Sequence, residues 1–134
     1  MKLTVVPADQ RFDQTGFTNE IVHGEANWLT TTWRCPRCGE RVVFSKAHFE
    51  ERAARRVSNL APEVARAFDA WASAHDEGGR PFLDWTCRCG LATRVYAHPW
   101  AGGHFGDQGV NLGRVLEAVP SPDKSFTSRP SLSR

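Results

Sequence analysis

The chain has 134 residues, of which 40% are hydrophobic, 24% charged and 10% aromatic. That is the composition of one ordinary globular domain, and it excludes both a second full core and wholesale disorder. Seventeen Lys and Arg against fifteen Asp and Glu leave a formal charge of +2, too even a balance for a dedicated nucleic-acid binder. No apolar run approaches the roughly 18 residues that span a bilayer. The opening residues, MKLTVVPADQRFD, lack the apolar core and cleavage site of a secretory signal, so the expected compartment is cytoplasmic, with no membrane partner.

In chain order, residues 3–6, 20–23 and 28–33 are β-prone runs separated by turn signals such as Gly24-Glu25, and they read as strands. Residues 41–44 form another short strand, after which Ser45 stands where a helix N-cap belongs. Phe49, Ala53, Val57 and Leu60, and then Val64, Phe68 and Trp71, recur at helical spacing and predict two amphipathic helices. Pro62 suits the first turn of the second helix, the break falls at 58–61, and Gly78-Gly79 end the pair. Glu51 and Arg55 are set for a favourable i,i+4 pair.

Residues 81–86 and 91–97 read as strands flanking Cys87-Arg88-Cys89-Gly90, and residues 110–119 as a last strand. Between them, residues 100–109 carry four glycines. Beyond Pro120 the sequence SPDKSFTSRPSLSR reads as a disordered tail over 120–134.

All four cysteines fall in two close pairs, Cys35-Pro36-Arg37-Cys38-Gly39 and Cys87-Arg88-Cys89-Gly90. A structural zinc ion takes four thiolates in a tetrahedron, and a Cys-x-x-Cys turn offers two sulfurs to one ion. Pro36 and Gly39 suit such a turn, since Pro fixes φ and Gly accepts positive φ. Each pair also lies between two β-prone runs, which puts each knuckle at a hairpin tip. Cys35, Cys38, Cys87 and Cys89 are therefore the expected ligands of one structural Zn2+. Two disulfides, a thioredoxin-like redox pair and an iron–sulfur cluster are the competing uses of the same residues.

On these knuckles, residues 28–46 and 82–119 resemble a zinc ribbon, in which two knuckle-bearing hairpins share an ion and a further strand completes the sheet. The chain departs from that pattern in its Cys-x-Cys second pair and in the helical insertion at 45–77. The expected fold is α+β: a small antiparallel sheet of zinc-knuckle hairpins with the two-helix insertion packed on it, one domain over residues 1–119.

Catalysis finds little support. His23-Gly24-Glu25 with the first cysteine pair only superficially resembles the zinc nucleobase deaminases: Pro36 follows Cys35 instead of preceding it, and Cys87 and Cys89 would have no work. A shell of four thiolates leaves no position for an activated water. His48, His75, His98 and His104 read as surface or capping residues, and no nucleotide-binding glycine signature occurs. The expectation is that the chain is not an enzyme.

Recognition is what remains. Of the five tryptophans, Trp33, Trp71 and Trp85 read as core, and Trp100, beside a glycine-rich loop, as partly exposed. Trp and Arg dominate binding hot spots, so the expected partner surface is Trp100, His104, Phe105 and Asp107. The main expectation is a partner protein, such as a toxin or enzyme that this chain inhibits, because small bacterial immunity proteins and inhibitors have similar size and equally lack catalytic residues. The alternative is a nucleic-acid-binding regulator, with Arg37, Arg41, Arg52, Arg55, Arg56 and Arg88 meeting phosphates against the balancing acids Glu40, Glu50 and Glu51.

Overall fold

A computed structural model describes residues 1–18, 30–55, 58–101 and 108–119. Nine elements and a short 3-10 turn follow in chain order: β1 (Lys2–Pro7), the turn Ala8–Gln10, β2 (Gly16–Thr18), β3 (Thr30–Arg34), β4 (Arg41–Ser45), α1 (Lys46–Arg55), α2 (Pro62–Ala74), β5 (Phe82–Thr86), β6 (Ala92–Ala101) and β7 (Gln108–Val119). The class is α+β with antiparallel pairing throughout. The expected strand at 20–23, Trp28, and the tail at 120–134 lie outside the described residues.

The strands divide differently from a single sheet of knuckle hairpins. β5, β6, β7 and β1 lie side by side in that order, with β2 joining β7, while β3 and β4 form a separate two-stranded sheet. Long β7 is the reason: its outer edge is shared by β1, with Lys2 opposite Val119, and by β2, with Phe17 opposite Val110.

Side chains of successive strand residues point to opposite faces, and here both faces are covered. Ala92 and Tyr96 of β6, with Leu116 and Ala118 of β7, meet Leu60, Val64, Phe68 and Ala72 of the insertion. Val95 and Val115, on the opposite parity, meet Phe12, Phe17, Trp33 and Phe49. β6 is consequently buried along residues 92–97 on both sides, which accounts for its Ala92, Val95, Tyr96 and Ala97 and requires Thr93 and Arg94 to be buried with them.

The insertion begins and breaks where its local chemistry says it should. The backbone N–H of Ser45 donates to Nδ1 of His48 at 2.9 Å, the reciprocal half of a capping box with histidine in the usual Glu or Gln position. Pro62 occupies the first turn of α2. The break between helices is tied down by Asp84 of β5, which accepts hydrogen bonds from the Ser58 hydroxyl and the Asn59 backbone N–H. The Glu51–Arg55 pair and Val57 lie among residues whose side chains are outside the described set. No helix among the described residues is long and apolar enough to cross a membrane.

Candidate metal centre

The cysteine pairs sit where the sequence puts them, one at the tip of β3–β4 and one at the tip of β5–β6. In the first knuckle the Gly39 N–H donates to the Cys35 carbonyl at 3.0 Å and the Cys35 N–H to the Glu40 carbonyl at 2.8 Å. In the second, one residue shorter, the Gly90 N–H reaches the Cys87 carbonyl and the Cys87 N–H the Leu91 carbonyl, both at 2.8 Å. Gly39 and Gly90 have φ of 78° and 97°, a backbone region that side chains with a Cβ disfavour. The Cys-x-Cys spacing is thus absorbed by closing the turn one residue earlier.

What brings the two tips together is aromatic packing beneath them. Trp33 lies two residues before Cys35 and Trp85 two residues before Cys87, so within each strand the indole and the first thiol share a face. The two indoles meet edge to face at 5.2 Å, and Trp85 also lies 4.7 Å from Phe44. Trp33 is fully buried. Across the knuckles, an Arg37 guanidinium nitrogen donates to the Cys89 carbonyl at 3.2 Å.

As a result, the Sγ atoms of Cys35, Cys38, Cys87 and Cys89 all lie within 4.8 Å of one another. The closest approaches run between knuckles: Cys35 to Cys89 and Cys38 to Cys87, each 3.6 Å. That separation is far beyond a disulfide bond of ~2.05 Å, and it matches the edge of ~3.8 Å in a sulfur tetrahedron with metal–sulfur bonds of ~2.3 Å. Four thiolates at this spacing could coordinate a single metal ion. With no ion, burial pushes the Cys87 thiol up to about 12, countered by the Cys89 backbone N–H. A bound divalent cation reverses that preference, because it deprotonates the thiols it ligates.

Around the centre, Arg88 pairs with Glu40 at 3.5 Å, and Arg11 of the 3-10 turn pairs with Glu117 of β7. The Arg37 backbone N–H donates to Cys35 Sγ at 3.4 Å. Arg34 and Arg41 stand directly opposite each other across β3–β4, both exposed.

Of the expected partner surface only Trp100 is described: it is 38% exposed and lies opposite Gly109. A Cβ at Gly109 would fall 2.4 Å from the indole, so the tryptophan rests on bare backbone. His104, Phe105 and Asp107 lie outside the described residues, as do the side chains of Arg52, Arg55 and Arg56.

The sequence reading missed the tryptophans' part in joining the knuckles, although the repeat of Trp, one residue, then Cys in both was a usable signal. It also missed β2, whose three residues are too few for a period to register. The chain was compared with protein-family models, with curated proteins and with solved structures, and nothing matched.

Proposed function

We propose that this chain is a non-enzymatic binding module whose knuckles are clamped by one structural Zn2+, and that its partner is a protein that it inhibits or neutralises. The observation that carries the zinc assignment is the closed set of four thiolates at tetrahedral spacing. A site saturated by protein ligands stabilises the fold and has no open position for a substrate.

A protein partner is supported by the charge balance at the zinc end. Arg88 and Arg11 are matched by Glu40 and Glu117, and four thiolates around a divalent ion carry a net negative charge that further offsets the arginines. Val43, on the outer side of the β3–β4 hairpin, is 63% exposed, and with Trp100 it adds apolar area of the kind protein interfaces bury. A nucleic-acid partner is the second reading. It is favoured by Arg34 opposite Arg41, a like-charged pair that costs stability until an anion covers it.

The test has two stages. Metal analysis of the protein purified without added zinc should return one zinc per chain; no metal, or two disulfides, would overturn the assignment. Affinity-tagged protein should then retain a protein partner through a salt titration, whereas a phosphate-binding surface loses affinity steeply as salt rises. Trp100→Ala should weaken the protein partner by roughly 1–4 kcal/mol without altering zinc content.

A further inference from the structure

The two edges of the large sheet are finished differently. At the β5 edge the break between the helices covers the strand: the Asn59 side-chain amide donates to the Asp84 carbonyl at 3.3 Å, and the Asn59 backbone N–H is held by the Asp84 carboxylate. At the other edge lies β1. Among the described residues nothing hydrogen-bonds to its outer side.

Pro7 fixes which backbone groups face that open side. It stands in register opposite Arg114, and because proline has no N–H this is not one of the hydrogen-bonded pairs of an antiparallel ladder. The two kinds of pair alternate along a ladder, so Lys2, Thr4 and Val6 bond to β7, while Leu3, Val5 and Pro7 turn their backbone groups outward. The bond from the Cys87 N–H to the Leu91 carbonyl gives the same phase when it is counted across β5, β6 and β7.

An open edge of this kind is ordinarily blunted by a charge, a proline or a bulge. β1 follows β7 from Lys2 to Pro7 without a register shift, and its one charge and one proline stand at its two ends, so residues 3–6 are unguarded. The side chains add apolar surface. Met1, Val5 and Val119 are 57%, 38% and 40% exposed and all lie at this edge. Leu3 and Val5 share the face that α2 covers, where Leu3 packs, partly buried, on the cluster that holds Val64 and Phe68.

We propose that β1 pairs with β1 of a second copy of this chain, antiparallel about a two-fold axis at Thr4, which joins the two sheets into one. The strand is self-complementary in that register. Leu3 of each copy meets Val5 of the other in a hydrogen-bonded pair, so every outward N–H and C=O of these two residues finds a partner. Thr4 meets Thr4 across the axis, a favourable cross-strand pair. Pro7, with no donor to offer, falls at the periphery opposite Met1. Lys2 of one copy stands opposite Val6 of the other, which keeps the two ammonium groups ~14 Å apart along the strands, beyond the screening length of ~8 Å at physiological salt. A strand from another protein has no such built-in match, whereas a second copy carries it by symmetry. The pairing is independent of the zinc centre and of any inhibited partner.

The experiment is sedimentation velocity on the full, zinc-replete chain. A pair of six-residue strands buries less than the ~1,600 Å² of a standard interface, so the dimer is weak, with a dissociation constant on the order of 10–100 μM: monomer at about 1 μM and mostly dimer at about 1 mM. Val5→Lys, at an exposed side chain, sets a charge against Leu3 of the other copy and should raise that constant tenfold or more. Val5→Pro removes only an outward N–H and leaves the β7 ladder its bonds, so it should weaken the dimer equally with zinc content unchanged. Register is read by cross-linking. Thr4→Cys places two thiols in a non-hydrogen-bonded pair, with Cα atoms roughly 4.5 Å apart and within reach of a disulfide, and mild oxidation should yield a covalent dimer. Lys2→Cys, ~14 Å from its counterpart, should not. The proposal fails if the chain is monomeric at about 1 mM, if a folded Val5→Lys variant dimerises like the parent, or if Thr4→Cys cross-links no better than Lys2→Cys.

Discussion

The most buried charges among the described residues are Arg94, 1% exposed, and its partner Asp84, also 1% exposed. The guanidinium lies 3.2 Å from Asp84, close to Asp69 of α2, and 3.7 Å above the Phe82 ring. Asp84 also holds Ser58 and Asn59, so one carboxylate joins the helix break to the sheet. Asp84→Ala leaves the buried guanidinium with only the exposed Asp69 as a counter-charge, and denaturant unfolding should show a loss of about 3–5 kcal/mol, the cost of breaking a buried pair from one side. A loss within about 0.5 kcal/mol, the range of an indifferent surface change, would deny the pair this part. His98 sets a pH dependence of the opposite kind to a gained ion pair. Its folded pKa is lowered, chiefly by burial, so below the ordinary imidazole value of 6.5 the unfolded chain binds more protons than the folded one. Stability should therefore rise with pH up to that value and level off above it, and His98→Gln should remove this part of the slope in thermal melts taken at a series of pH values.

At the scale of elements, α2 is amphipathic by its own sequence, yet a helix of this length is marginal in water without a surface to cover. Val64, Phe68 and Ala72 are buried against Ala92, Tyr96, Leu116 and Ala118, while Phe49 of α1 faces the other core, 5.4 Å from Phe17 and 5.7 Å from Phe44. The insertion thus serves both faces of the molecule. Two outcomes are expected. Phe68→Ala should cost about 3–5 kcal/mol, the range for emptying a buried aromatic site. A peptide spanning residues 46–76 should show little helix by circular dichroism, and a fully folded peptide would overturn the packing argument. The helices were legible because period, proline and break are local signals. Strand β6 was read four residues short, ending at Ala97 where the structure continues through Pro99 to Ala101. Pro99 stops local β propensity, but the strand continues because β7 supplies partners along its length, with His98 opposite Asn111 and Trp100 opposite Gly109.

Across the whole molecule, the proposed zinc ion is the covalent-strength contact between the two sheets, and the Trp33–Trp85 pair lies directly beneath it. Chelation should therefore do more than empty a site. Removal of zinc, or Cys38→Ser, should destabilise the protein by several kcal/mol, about 3 or more, and shift tryptophan emission to the red as the indoles meet water. Full stability after exhaustive chelation would mean that aromatic packing alone holds the hairpins. What the sequence by itself determined is what depends on neighbours along the chain: the two knuckles and their glycines, the pair of helices with a break before Pro62, the α+β class, and the four thiols as one cluster within metal-binding distance. Each is written in spacing and turn chemistry over a few residues. Only the tertiary structure decided the split into two sheets, the pairing of β2 and β1 on one edge of β7, and the placement of Arg94 on Asp84. The same holds for the convergence of Arg80, His98 and Arg114 on Glu77. These join residues far apart in sequence, as Arg11 and Glu117 are, and a charged or polar residue read alone looks like surface until the partner that lets it be buried is brought to it.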